Sequence, residues 1–186
     1  GSLPEEPASG NLYPASRNQD QLDNFLSRLV YPLLFMDFET VFPAVPLHDE
    51  SRPYQQIPFQ YSLHIIASHN PASSPMHEYY LGTPPSDPRP AFIESLLGHL
   101  GTRGSIIVWN ETFEKTRLKE IARDFPEYAL RIMPLFDRFL DLMVPFRRKH
   151  LCTPEMNGSY SLKAVLPALV QDLSYSALEI QEGGSA

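Results

Sequence analysis

The stretch Leu33–Thr40, LLFMDFET, constrains this chain more than any other, because it is an apolar run of strand length that carries two carboxylates, Asp37 and Glu39. Leu33–Phe38 suits a central strand covered on both faces. Side chains two positions apart on a strand share a face and stand about 6.6 Å apart, so the two acids project together from the end of the run. Burying an unpaired carboxylate beside Met36 and Phe38 would cost several kcal/mol. A metal or a strong hydrogen-bond partner accounts for the pair if the strand is central. Otherwise both acids are solvated residues at a strand end, with Asp37 or Thr40 satisfying a turn. Paired hard-oxygen ligands suit a site that holds two divalent cations about 3.5–4 Å apart.

The pattern around this run predicts a mixed sheet. Residues 1–17 mix Pro, Ser, Gly and Glu without periodicity and read as a flexible leader or linker. Residues 18–186 read as one domain. Asn18 is placed to cap a helix with an apolar stripe of Leu22, Phe25, Leu26 and Leu29, closed by Pro32. Alternation predicts strands at Phe59–Ala67 and Met76–Leu81. Asp87 and Pro88 open a helix striped by Phe92, Leu96, Leu97 and Leu100 that stops near Gly101. A strand at Ser105–Trp109 follows, then a helix capped by Asn110 with Phe113, Leu118 and Ile121 inward, ending at Phe125 and Pro126. A helix-like segment over Glu127–Arg138 precedes a strand at Phe139–Met143. Three consecutive strands followed by helix, strand, helix, strand imply antiparallel strands first and parallel ones after, because parallel neighbours require crossovers.

Composition narrows the function classes. The chain has 186 residues with 42% hydrophobic and 20% charged, enough for a substantial core. It contains no apolar run of the roughly 20 residues that span a bilayer, and no secretion-signal pattern at its start. One cysteine, Cys152, excludes an internal disulfide and fits a reducing compartment, so cytoplasm is the default location. The formal charge of -7 argues against a broad basic surface for nucleic acid. It leaves room for a nuclease, since carboxylates that hold cations lower the formal charge while the bound metals attract phosphate.

Three stretches in order resemble the DEDD exonuclease superfamily, which has a ribonuclease-H-like fold. LLFMDFET resembles its first motif, a strand ending in Asp-x-Glu-Thr. VWNETFEKTRL is similar to the second, Asn-x-x-Phe-Asp, with Glu114 where that family has Asp. YSLKAVLPAL resembles the Ser-Leu-Lys helix before the third motif. The set is most similar to an uncharacterised bacterial group of predicted ribonuclease-H-like nucleases, over about Pro32–Gly183. The resemblance implies an α/β fold with a ribonuclease-H-like mixed central sheet, three antiparallel strands then parallel strands, flanked by helices. It further implies a two-metal 3'-5' exonuclease acting on DNA or RNA, with Mg2+ or Mn2+ held by Asp37, Glu39 and Glu114. Thr40, Asn110, Phe113, Asp141, Ser161 and Lys163 take supporting or substrate-binding places.

Simpler roles stand beside these. Asn110, Phe113 and Glu114 also make a helix cap, a core aromatic and a first-turn acid favoured by the helix dipole. Asp137 reads as solvated surface. Arg147, Arg148, Lys149 and His150 read as an exposed basic loop or as contacts to substrate phosphates, and Lys163 has the same two readings. The family's third motif, Tyr-x-x-x-Asp or His-x-x-x-x-Asp, has no match in the right order. Tyr175 with Glu179, and His150 with Glu155, have the spacing at the wrong places. The expectation is therefore a nuclease domain without its last helix and joined to other domains of a longer chain. The alternatives are a catalytically incomplete module for binding or assembly, and a transferase or integrase relative with its third carboxylate elsewhere in the order.

Overall fold

The computed structural model describes residues 13–70 and 74–170. In chain order the elements are β1 (Ser16–Arg17), α1 (Gln19–Leu26), β2 (Leu33–Val41), β3 (Ile57–Ile66), β4 (Met76–Leu81), α2 (Pro88–Leu100), β5 (Ser105–Val108), α3 (Glu111–Asp124), α4 (Ala129–Ile132), β6 (Phe139–Asp141), α5 (Val144–Arg147), β7 (Leu151–Cys152) and α6 (Leu162–Leu169). Short 3-10 turns flank α4 at Pro126–Tyr128 and Met133–Arg138. Two compact units result, one over Arg28–Leu142 and one that joins the residues up to Ser27 with those from Met143 onward. The span 18–186 thus contributes to both.

The 28–142 unit is a five-stranded mixed sheet in the order β4-β3-β2-β5-β6. Strand β2 is central, antiparallel to β3 and parallel to β5, and β5 is parallel to β6. Gly104 fixes one junction: its φ is +93°, and a Cβ there would collide with the carbonyl and ring of Pro32. Only glycine lets the chain entering β2 pass so close to the start of β5.

Leu34, Met36 and Phe38 point from β2 into a core with Tyr61, Leu63, Phe92, Ile93, Leu96, Ile106, Val108, Leu118 and Ile121. Helix α2 covers it as its stripe predicts, capped by the Asp87 carboxylate accepting from the Arg89 backbone N–H at 3.0 Å. Buried Arg89 joins Asp87 and Asp124 and donates to the Asp49 carbonyl, which ties the β2–β3 loop to both long helices.

In the other unit, Ser16 and Arg17 pair with Cys152 and Leu151, so the last residues of the expected leader are ordered. Asn18 caps α1, its side chain accepting from the Gln21 N–H at 3.1 Å. The helix stops before Leu29, and Leu26 is exposed rather than part of a buried stripe. No helix among the described residues is long and apolar enough to cross a membrane.

Candidate metal centre

Strand β2 runs through the acidic pair and on to Val41, instead of ending at it. The reason is β3, which pairs with β2 over the whole length from Leu33↔Ile66 to Val41↔Ile57, with a register shift between Glu39 and Thr40. Asp37 and Glu39 are therefore held by a strand on the β3 side. On the other side the parallel pairing with β5 extends as far as Phe35↔Ile107. The pair sits beyond the carboxyl end of β5, where the sheet changes from parallel to antiparallel neighbours. In open α/β sheets, ligands bind at such switch points.

Asn110 brings the second element in. It does not cap α3 with its side chain as the sequence suggests; it occupies the left-handed region at φ 74°, ψ 78°. A non-glycine residue held there stores of order 1 kcal/mol or more of strain. Its backbone N–H donates to Asp141 Oδ1 at 2.9 Å, so the buried Asp141 at the end of β6 fixes the turn from β5 into α3. The turn starts α3 at once beyond the sheet and places Glu114 in its first turn. Phe113, partly buried against the core, lies under the Arg117 guanidinium, 5.4 Å from the ring centre.

Glu114 is 2% exposed, and its Oε2 has no hydrogen-bond partner among the described residues. Its carboxyl is raised to about 8, chiefly by burial and in smaller part by the nearby charges of Asp37 and Asp141, against the pull of its own backbone N–H. Asp37 is exposed as a residue, yet burial of its carboxyl raises its pKa, opposed by the Phe38 backbone. Glu39, half-buried, is raised by burial and by the charge of Asp37. The charge of Asp37 thus bears on both other acids.

The donor chemistry fits Mg2+ or Mn2+: hard oxygens, one of them buried and unpartnered. The geometry fits less well, because no three His, Cys, Asp or Glu side chains among the described residues stand together as a ready metal-binding group. Neither do these carboxylates line the cavities of about 350, 220 and 390 Å³ found elsewhere on the chain.

The remaining expected residues fall elsewhere. Thr40 is half-buried just past the register shift. Ser161 and Lys163 belong to the other unit: Ser161 stands at the start of α6 without a side-chain cap bond, and Lys163 is exposed in its first turn. Arg147, Arg148 and Lys149 are exposed in the same unit, while the His150 carbonyl accepts from Asn18 N–H at 2.8 Å. Asp137 is exposed. Tyr175 and Glu179 lie outside the described residues. No motif signals that Asn110 is left-handed or that Asp141 holds its backbone. A short polar residue between a strand and a helix is the one local hint, since Asn tolerates that conformation better than most.

The fold of the 28–142 unit is thus a mixed α/β sheet with helices, bearing acidic side chains at its switch point. By sequence the chain belongs to the family described as Domain of unknown function (DUF2779), which matches residues 34–161. It is 28% identical over 199 residues to an uncharacterized protein of Ureaplasma parvum, covering 93% of this chain and 28% of that protein. To an uncharacterized protein of Mycoplasma pneumoniae it is 29% identical over 168 residues, covering 82% and 25%. To one of Mycoplasma genitalium it is 26% identical over 182 residues, covering 90% and 27%. The chain thus spans about a quarter of the length of these relatives. No solved structure matches it.

Proposed function

We propose that this domain is a metal-dependent nuclease of ribonuclease-H-like fold, related to the DEDD exonucleases and hydrolysing phosphodiester bonds of DNA or RNA. The observation that carries the reading is Glu114. A carboxylate this buried, with one oxygen unpartnered and two further carboxylates pressing on it, is unfavourable when ionised unless a cation or a proton joins it. Asp37, Glu39 and Glu114 are the ligands in this reading; Asp141 and Asn110 position Glu114 through the α3 turn. Bound Mg2+ or Mn2+ would supply activation of water and stabilisation of the leaving oxygen. The strand order supports the reading, with the acid-bearing strand central, antiparallel neighbours on one side and parallel ones on the other.

Titration calorimetry with Mn2+, together with cleavage of end-labelled single-stranded oligonucleotides, tests this. Expected are Mn2+ binding that Asp37→Ala abolishes and cleavage that requires the cation. Binding that survives Asp37→Ala would remove the metal assignment. A second reading is a catalytically incomplete module that binds nucleic acid or assembles with other domains of a longer chain. The absence of a ready three-ligand group among the described residues favours it, and its mark would be an oligonucleotide bound but left whole in Mn2+.

A further inference from the structure

The unit that joins the residues up to Ser27 with those from Met143 onward holds a cavity of about 350 Å³, to which α5, β1 and β7 all contribute. Arg147 and Lys149 line it, and no carboxylate among the described residues does. In a chain of formal charge -7 this is a local reversal of sign. The Lys149 ammonium forms no ion pair among the described residues. Its backbone stands in the left-handed region at φ 56°, with the carbonyl accepting from the Ser16 hydroxyl at 3.2 Å. A non-glycine residue kept there costs of order 1 kcal/mol or more.

Two tyrosines complete the lining. The Tyr13 ring lies against Gly158, whose φ is +73° and where a Cβ would collide with that ring. Only glycine leaves the ring its place in the cavity wall. Tyr160 is 46% exposed and makes no ring contact among the described residues, so its face is uncommitted. The other cavities differ. In that of about 390 Å³, Arg131 is paired with Glu94 at 2.7 Å and Arg138 donates to the carbonyls of Leu100, Gly101 and Gly104. That of about 220 Å³ includes the Asp137 carboxylate.

We propose that the cavity beside Arg147 and Lys149 binds a nucleoside monophosphate, its base against the tyrosines and its phosphate on the two cations. A phosphate monoester carries about -1.5 to -2 at neutral pH, which matches two cations; a carboxylate would leave one uncompensated. Arg offers phosphate a fork of donors and Lys a point charge. Tyrosine rings stack bases of any sequence, and the apolar Leu151 and Met156 cover the remaining edges of a flat ligand. The volume stands near the lower end of the roughly 300–1,000 Å³ of small-ligand sites, which suits a single nucleotide. This assignment does not rest on the nuclease reading. Where both hold, the ligand is of the class that an exonuclease releases, and the cavity is a product-sensing site.

Calorimetric titration of the full chain with AMP, in chelator so that the carboxylates hold no cation, tests the assignment. AMP is expected to bind, and adenosine and inorganic phosphate each to bind at least about tenfold more weakly, since each lacks half of the contacts. The double variant Arg147→Gln/Lys149→Gln is expected to lower AMP affinity at least about tenfold. Tyr160→Leu should lower it about fivefold or more and Tyr160→Phe retain it, all with unchanged melting temperature. Cys152, the one cysteine of the chain and part of the lining, gives an independent reading. AMP should slow its alkylation by iodoacetamide in the wild type and leave it unchanged in the double variant. No AMP binding by the wild type, equal affinity in the double variant, adenosine bound as tightly as AMP, full retention by Tyr160→Leu, or Cys152 left unprotected would each overturn the proposal. So would loss of AMP binding in Asp37→Ala, since the ligand would then sit at the carboxylates. The nuclease reading is scored separately by oligonucleotide cleavage in Mn2+. AMP binding without cleavage keeps the cavity site and removes hydrolysis, whereas cleavage without AMP binding removes the cavity site alone.

Discussion

The two faces of strands β2, β3 and β4 carry similar numbers of rings and treat them in opposite ways. On one face Phe38, Tyr61 and Tyr80 surround Phe92, with ring centres 5.0–6.0 Å from it, and Phe38 and Tyr61 are buried while Tyr80 is partly so. On the other, His64, His77 and Tyr79 stack in the open beside Asp37 and Glu39. The first face supplies stability through buried area; the second holds carboxylates at raised pKa and stacks rings that contribute little to folding. A sheet with one packed face can keep unfavourable chemistry on the other, because the packed face offsets it.

Removing a ring from the sealed face is the strongest way to test this contrast. Phe92→Ala, at 0% exposure, is expected to destabilise by about 3–5 kcal/mol in urea unfolding, where Tyr79→Ser should stay within about 0.5 kcal/mol. Equal losses would erase the distinction between the faces.

Glu114→Gln addresses the buried carboxylate. Glu114 holds its proton more tightly folded, at about 8, than its ordinary 4.5. Its contribution to stability is therefore complete below about pH 4.5 and declines as pH rises toward 8, by up to about 1.4 kcal/mol per unit. In chelator the wild type is expected to melt progressively lower across that window, and Glu114→Gln to flatten the decline and melt higher at pH 8. Mn2+ should raise the wild-type melting temperature at pH 8 and leave the variant unchanged. A wild type whose melting is flat from pH 5 to 8 would mean that Glu114 is not strained as described.

A smaller effect is expected at Asn110. Glycine adopts the left-handed conformation freely, so Asn110→Gly should leave stability within about 1 kcal/mol, while Asn110→Val should lose more. Both are read by thermal melting. If valine were tolerated as well as glycine, the turn into α3 would not be as tight as its φ indicates.

Much of this arrangement was legible in the chain itself. Local periodicity placed β4 and α2 where they stand, and it placed the cores of β2, β3 and α3, because a strand or helix writes its period into the residues that compose it. Asp87, Asn18 and Gly101 marked helix ends through short-range chemistry. Asp37, Glu39 and Glu114 stood out as acids in apolar or helix-starting contexts. Other features depended on partners far along the chain. Strand β2 outruns its apolar stretch because β3 pairs with it as far as Val41. Asn110 is left-handed because Asp141, 31 residues later, takes its backbone N–H. Burial of Glu114, and the alignment of Tyr79 with Asp37 through Ser62, follow from register between strands that no local pattern specifies. Sequence determined which residues carry charge, rings and period; long-range pairing decided which of them meet, since burial and repulsion arise only when distant segments share one surface.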